Sequence, residues 1–308
     1  LGKVIRDRSL DYLSSFLSEQ WQNEYESIEA VKPEIQNILG AMDWCWHTNQ
    51  LERLIDFCKK VELYLIVTGK WDAWNTYSEL ALKAAILLEQ ENERAEFLFS
   101  LASIRDYQDD LADAEALIRT AISVFRSLGN KRKLALSIWR LASIQIHQGR
   151  YDVARRNLNE SLEIAEQAQD QGHIPWTHRK LAEIDIAEGN YASAKNRLKQ
   201  VSVIHEQDDR LRLPQLSYTY RLLGRVLFLK GEYETANQYL QQSLEIAKKI
   251  NSQQHIAEVQ IRIAELKQAL DQTDEAKKCI EDAIEISNKL GMKRELREAQ
   301  ALLEQLVC

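Results

Sequence analysis

Six turn-forming residues recur along the chain at an almost fixed interval. Gly69, Asp109, Gly149, Gly189, Gly231 and Asp271 stand 40, 40, 40, 42 and 40 residues apart. A period of this length marks a repeat array, in which one supersecondary unit is copied and stacked. The surroundings of each turn residue repeat as well. Seven positions before it stands a small residue (Ala102, Ala142, Ala182, Gly224, Ala264), itself preceded by Leu101, Leu141, Leu181, Leu223 or Ile263. Five positions after it comes Ala114, Ala154, Ala194, Ala236 or Ala276, and nine after it Ile118, Leu158, Leu198, Leu240 or Ile280. The unit around Gly69 departs at both small positions, with Glu62 and Trp74.

These offsets describe a helix, a tight turn and an antiparallel second helix. Gly and Asp tolerate the left-handed backbone of a helix end, and Trp71, Tyr151, Tyr191 and Tyr233 open the helix that follows. Small residues sit where the paired helices cross, because a larger side chain would wedge them apart. Only ten Gly and three Pro in 308 residues cannot punctuate a sheet-rich fold, and no apolar run reaches membrane length. The expected fold class is therefore all-α. One hairpin cannot bury both of its apolar faces, so the hairpins stack into a right-handed superhelical solenoid whose concave face is lined by first helices.

The spacing predicts helices near 51–67, 71–88, 92–107, 111–127, 131–147, 151–168, 175–187, 191–205, 213–229, 233–249, 253–269 and 273–289. Residues 51–292 form six hairpins, and 293–308 form a capping helix. Residues 1–50 lack the register and are read as an N-terminal helical adaptor, with helices near 7–19, 21–30 and 33–47 and Pro33 in a first helical turn.

The pattern of Leu-Ala, turn Gly, Tyr two residues on, then Ala, resembles the tetratricopeptide repeat across residues 51–292. Two features depart from that family. The period is 40 rather than about 34 residues. The aromatic expected four residues before the turn is replaced by Arg105, Gln145, Asp185 and Lys267, so local stacking is altered. A second resemblance lies in DYLSSFLSEQW, EIQNILGAMDW and the Gly69–Trp71 turn. These look like the segment that joins a STAND-class (NB-ARC or NACHT) signalling ATPase to its C-terminal sensor. The resemblance implies an upstream nucleotide-binding domain, a chain that is a piece of a longer protein, and a cytoplasmic sensor of a protein or peptide partner. No GxxxxGK[ST] loop occurs in the chain itself. A stand-alone scaffold resembling kinesin light chains or Rap-like proteins, binding peptide segments, is the alternative.

Chemistry is sparse. A net charge of −7 and a pI near 5.6 disfavour direct nucleic-acid binding. Cys45, Cys58, Cys279 and Cys308 show no paired spacing and read as reduced thiols. No two of the six His, and no His and Cys, stand at the i,i+4 spacing of a helical metal site, and no nucleophile motif appears. No catalytic residue, metal or cofactor is assigned. A Rap-like phosphatase role would have to draw on Asp11, Gln20 or Gln22, with no pattern to favour any of them.

What remains is the inner face of the first helices. Translated by the period, one stripe gives Phe99, Ser103 and Asp106, then Trp139, Ser143 and His147, then Trp176, Arg179 and Glu183, then Tyr218, Arg221 and Arg225, then Glu258, Ile261 and Glu265. Clustered Trp, Tyr and Arg make a candidate binding wall. The competing reading is that the two Trp plug seams between neighbouring helices and the Arg pair with nearby acids. Ser143, Glu183 and Arg225 stand where the chaperone-binding kind of module carries its carboxylate-gripping Asn, which disfavours that partner.

Overall fold

The backbone turns every 20 residues, half the period legible in the sequence. Left-handed residues end successive helices at Asn49, Gly69, Glu89, Asp109, Gly129, Gly149, Gln169, Gly189, Gly231, Asn251, Asp271 and Gly291, with φ between 52° and 78°. The computed structural model describes residues 2–20, 30–207 and 212–307. Its described residues form fifteen helices and no strand. These are α1 (Gly2–Gln20), α2 (Ile35–His47), α3 (Leu51–Val67), α4 (Trp71–Leu87), α5 (Glu91–Tyr107), α6 (Leu111–Ser127), α7 (Lys131–His147) and α8 (Tyr151–Gln167). They continue with α9 (His173–Ala187), α10 (Tyr191–Gln207), α11 (Arg212–Leu229), α12 (Tyr233–Lys249), α13 (Gln253–Ala269), α14 (Thr273–Leu290) and α15 (Lys293–Val307).

The predicted helices are present, most within two residues of their expected bounds, so the all-α hairpin solenoid is observed. The first helix starts at Gly2 rather than residue 7. Pro33 lies in a turn ahead of α2, whose N-cap is Glu34, and not inside the helix. The helix expected at 21–30 falls almost wholly outside the described residues. Two compact units are resolved, Leu1–Leu101 and Ala102–Cys308.

In the first unit the two exceptional residues of the repeat explain each other. Glu62 and Trp74 occupy the helix-crossing positions that hold small residues elsewhere, and the Trp74 indole donates to Glu62 Oε1 at 3.1 Å. Trp71, Trp74 and Tyr64 are all buried.

In the second unit, consecutive helices pair from α7 to α15, and the first helices α7, α9, α11, α13 and α15 lie side by side. The crossing residues Ala142, Ala154, Ala182, Ala194, Ala236, Ala264 and Ala276 are buried, as the close approach of backbones requires. The polar substitutes for the family aromatic tie the two helices of each hairpin. Arg105 pairs with Asp113 at 3.1 Å, and Gln145 accepts from Asn157 at 2.7 Å. Asp185 accepts from Ser193 within its own hairpin and from Arg155 of the preceding one, and Lys267 pairs with Glu275 at 2.7 Å. Directional bonds thus replace ring packing at this position. No described helix is long and apolar enough to cross a membrane.

Candidate functional site

Side by side, the first helices of the second unit enclose a cavity of about 550 Å³. Its wall takes Ile146 and His147 from α7, Glu183 from α9, and Tyr218, Arg221 and Arg225 from α11. Further along, α13 contributes Glu258, Ile261 and Arg262, and α15 contributes Arg294, Glu295 and Glu298.

Tyr218 organises this wall. Its hydroxyl donates to Glu183 at 2.7 Å and accepts from Lys180 at 3.1 Å, while Lys180 and Glu183 pair at 2.9 Å. The guanidinium groups of Arg179 and Arg221 each lie 4.4 Å from the Tyr218 ring centre, an arrangement favoured by the ring quadrupole. Burial acts against both charges of the Lys180–Glu183 pair. Their mutual attraction outweighs it, raising the Lys180 pKa and lowering that of Glu183. Burial, reinforced by Glu183, pushes the Tyr218 phenol up. Arg221 pairs in turn with Glu258 on the next first helix at 2.9 Å.

The candidate residues from the sequence divide into two groups. His147, Glu183, Tyr218, Arg221 and Arg225 line the cavity. Trp139, Ser143, Trp176 and Arg179 stand behind it. Trp139 is only 8% exposed, its indole donates to the Trp176 carbonyl at 3.2 Å, and the two rings lie 6.2 Å apart with His173 beside both. The two Trp therefore fill the seam between α7 and α9, the packing alternative of the sequence reading. Ser143 is buried, and Arg179 spends a donor on Gln215. Phe99 belongs to the first unit and is not part of this cavity.

The stripe reaches Glu258 and Ile261 of α13, both in the cavity wall, but was not carried on to α15. Translating Glu258 by one more period gives Glu298, so part of the signal was present. Arg262 and Arg294 lie off the stripe and carried none.

A second cluster closes the rim. Asp106, at the end of α5 and 1% exposed, meets His147 Nδ1 at 2.5 Å, Arg140 at 3.7 Å and Arg294 of α15 at 3.9 Å. Burial opposes its charge, but His147, Arg294 and Arg140 together hold the carboxyl well below the usual range. Arg297 bonds Asp109 beside it. The capping helix thus returns to the first helix end of its own unit. Cys45, Cys58 and Cys279 form no disulfide, and the described residues offer no metal-binding group of three or more ligands. Asp11 is exposed and paired with Arg53 at 2.9 Å.

A search of the curated proteins found no match. Among solved structures, a Rap protein complexed with Competence and Sporulation Factor superposes with a TM-score of 0.65 at 15% identity, covering 92% of this chain and 84% of that one. NprR in complex with its cognate peptide NprX gives 0.64 at 17% identity, over 89% and 84%. The Rap conjugation gene regulator of plasmid pLS20 in complex with the Phr* peptide gives 0.62 at 14%, over 98% and 96%. At these identities the likeness shows the fold. The sequence itself matches the tetratricopeptide repeat profile at residues 93–167, 134–207, 173–249 and 257–290. With the repeat geometry described above, this match establishes that the chain belongs to the tetratricopeptide repeat family.

Proposed function

We propose that the chain is a noncatalytic peptide-binding module whose ligand lies in the cavity of the second unit. The observation that carries this is the cavity itself. Five first helices supply it with charged side chains held by neighbours and with apolar walls at Ile146, Ile186, Leu229 and Ile261. A small number of fixed polar groups set among apolar surface is what an extended peptide needs for orientation and affinity. In this reading His147, Glu183, Tyr218, Arg221 and Arg225 touch the ligand. Trp139, Ser143, Trp176 and Arg179 hold those residues in place.

Two of the similar structures contain a named peptide, which favours a stand-alone peptide binder over the sensor of an attached ATPase. The sensor reading rests on the DYLSSFLSEQW and EIQNILGAMDW segments and the Gly69–Trp71 turn. The test is a randomised heptapeptide library passed over the immobilised chain. The expected result is retention of a defined set of sequences by the wild type and its loss in Ile146→Trp and Leu229→Trp, which fill the cavity from its wall and rim. Equal retention by all three proteins removes the cavity as the site.

A further inference from the structure

The acids that line the cavity are engaged. Glu183 is held by Lys180 and Tyr218, and Glu258 by Arg221. Glu298 bonds Arg262, and Glu295 pairs with Arg294 at 2.9 Å. Arg225 stands apart from this arrangement. It lines the same cavity and is half-buried, yet it makes no ion pair or hydrogen bond to any described residue. Its surroundings are unfavourable to it. Burial, then the nearby Arg262 charge, push its pKa below the usual arginine value; Glu265 and Glu298 oppose the shift without cancelling it, and Arg221 adds to it. A half-buried guanidinium that forms no direct pair with a described acid, and whose more distant acids do not offset burial and the neighbouring cations, carries a penalty that an arriving anion relieves.

We propose that Arg225 is the anion subsite of the cavity, and that a peptide is anchored there through a single carboxylate. The inference rests on the peptide-binding reading above and names the chemistry of the ligand. The charge of the wall argues for a singly charged group. Glu183, Glu258, Glu295 and Glu298 surround the opening, and a dianionic phosphate would retain one charge facing them after neutralising Arg225. The planar fork of a guanidinium also matches the two oxygens of a carboxylate. The apolar side chains of Ile146, Ile186, Leu229 and Ile261 line the space where the flanking residues of the peptide would lie. The carboxylate can come from the peptide C-terminus or from an Asp or Glu side chain, and both present the same group.

The test uses randomised heptapeptide libraries in three forms: free-acid peptides without Asp or Glu, amidated peptides with one Asp or Glu, and amidated peptides without either. Wild type, Arg225→Gln and Arg225→Lys are compared. Because Arg225 makes no direct hydrogen bond or ion pair to a described residue, Arg225→Gln is expected to melt close to the wild-type temperature, and circular dichroism confirms that it is folded. The wild type should retain one or both carboxylate-bearing forms at least about tenfold over the third, the scale of a charge-assisted bond. Preference for the free acids identifies a terminal carboxylate, and preference for the amidated acids a side chain. Arg225→Gln should lose this preference and Arg225→Lys keep part of it. Retention of all three libraries alike by the wild type, or an unchanged preference in Arg225→Gln, overturns the subsite while leaving peptide binding standing. Retention of none by the folded wild type overturns both.

Discussion

Gly224 is the small residue at the α11–α12 crossing, where the sister hairpins carry Ala, and replacing it tests how tightly this crossing is closed. A Cβ at position 224 would lie 2.6 and 2.7 Å from Leu240 side-chain carbons and 3.3 Å from the Ala236 carbonyl oxygen. Leu240 and Ala236 are fully buried, so neither has open space to move into. Restoring ordinary contacts near 3.7 Å requires the helices to separate by about 1 Å, and overpacking of this kind costs about 1–3 kcal/mol. Against it stands the gain of about 1 kcal/mol from placing Ala rather than Gly inside a helix. The expected net effect of Gly224→Ala is a destabilisation of about 1 kcal/mol. Gly40 supplies the control: it is helical and exposed, and nothing lies within 4 Å of an added Cβ. Gly40→Ala should therefore stabilise by about 0.5–1 kcal/mol. Urea unfolding followed by circular dichroism reads both variants against the wild type. Equal stabilisation by the two substitutions would refute the argument, because it would mean that the crossing has slack.

Trp139→Ala should cost about 3–5 kcal/mol in the same assay, since the ring fills the α7–α9 seam; a loss below about 1 kcal/mol would show that the seam is loosely packed. Asp106→Asn should destabilise by about 3 kcal/mol at pH 7 by removing the buried carboxylate that the half-buried Arg140 and Arg294 share. The folded pKa of Asp106 is depressed, so its contribution is complete above the ordinary carboxylate value and fades as the pH falls toward the folded one. The gap between Asp106→Asn and the wild type should therefore narrow below about pH 4, and a constant gap down to pH 2 would contradict this. His255 packs edge-on against Tyr218 at 6.2 Å. Burial pushes its pKa down to about 4, with Glu258 opposing and Arg221 and Arg179 assisting. The unfolded chain then takes up the proton first, so stability should fall as pH drops from about 6.5 toward 4, and His255→Gln should flatten that part of the curve.

The fold was legible because its determinants are local and repeated. Ala at a crossing and Tyr two residues after a turn impose the same contact wherever they occur, and six copies make the register unambiguous. The left-handed residues between hairpins were less visible for a physical reason. Gly129 and Gly291 carry the signal of their type, but Glu89 and Gln169 adopt the same backbone without any side chain that favours it. There, helix packing on both sides fixes the chain reversal, and the residue at the turn only has to tolerate it. The exception at Glu62 and Trp74 looked like a broken repeat, yet it is one interaction written in two positions twelve residues apart.

The site was only half legible, and the division follows from what a period can encode. Translation by 40 residues finds side chains that project from equivalent points of successive helices, which is how Tyr218, Arg221, Arg225 and Glu183 were found together. It gives the direction of a side chain and not what that side chain meets. Whether Arg221 is free or spent depends on how Glu258, one helix along on the same stripe, reaches across to it, and the fate of the two Trp depends on how closely α7 and α9 approach. The closure of the rim is further beyond reach. Asp106 and Arg294 stand 188 residues apart and meet because small rotations between neighbouring helices add up over the second unit. No single repeat contains that sum. The same accumulation explains why the Asp106–Arg294 and Asp109–Arg297 pairs belong to the stack as a whole and to none of its repeats: each partner alone is an ordinary charged residue at a helix end, and only the summed geometry of the intervening helices brings the two together.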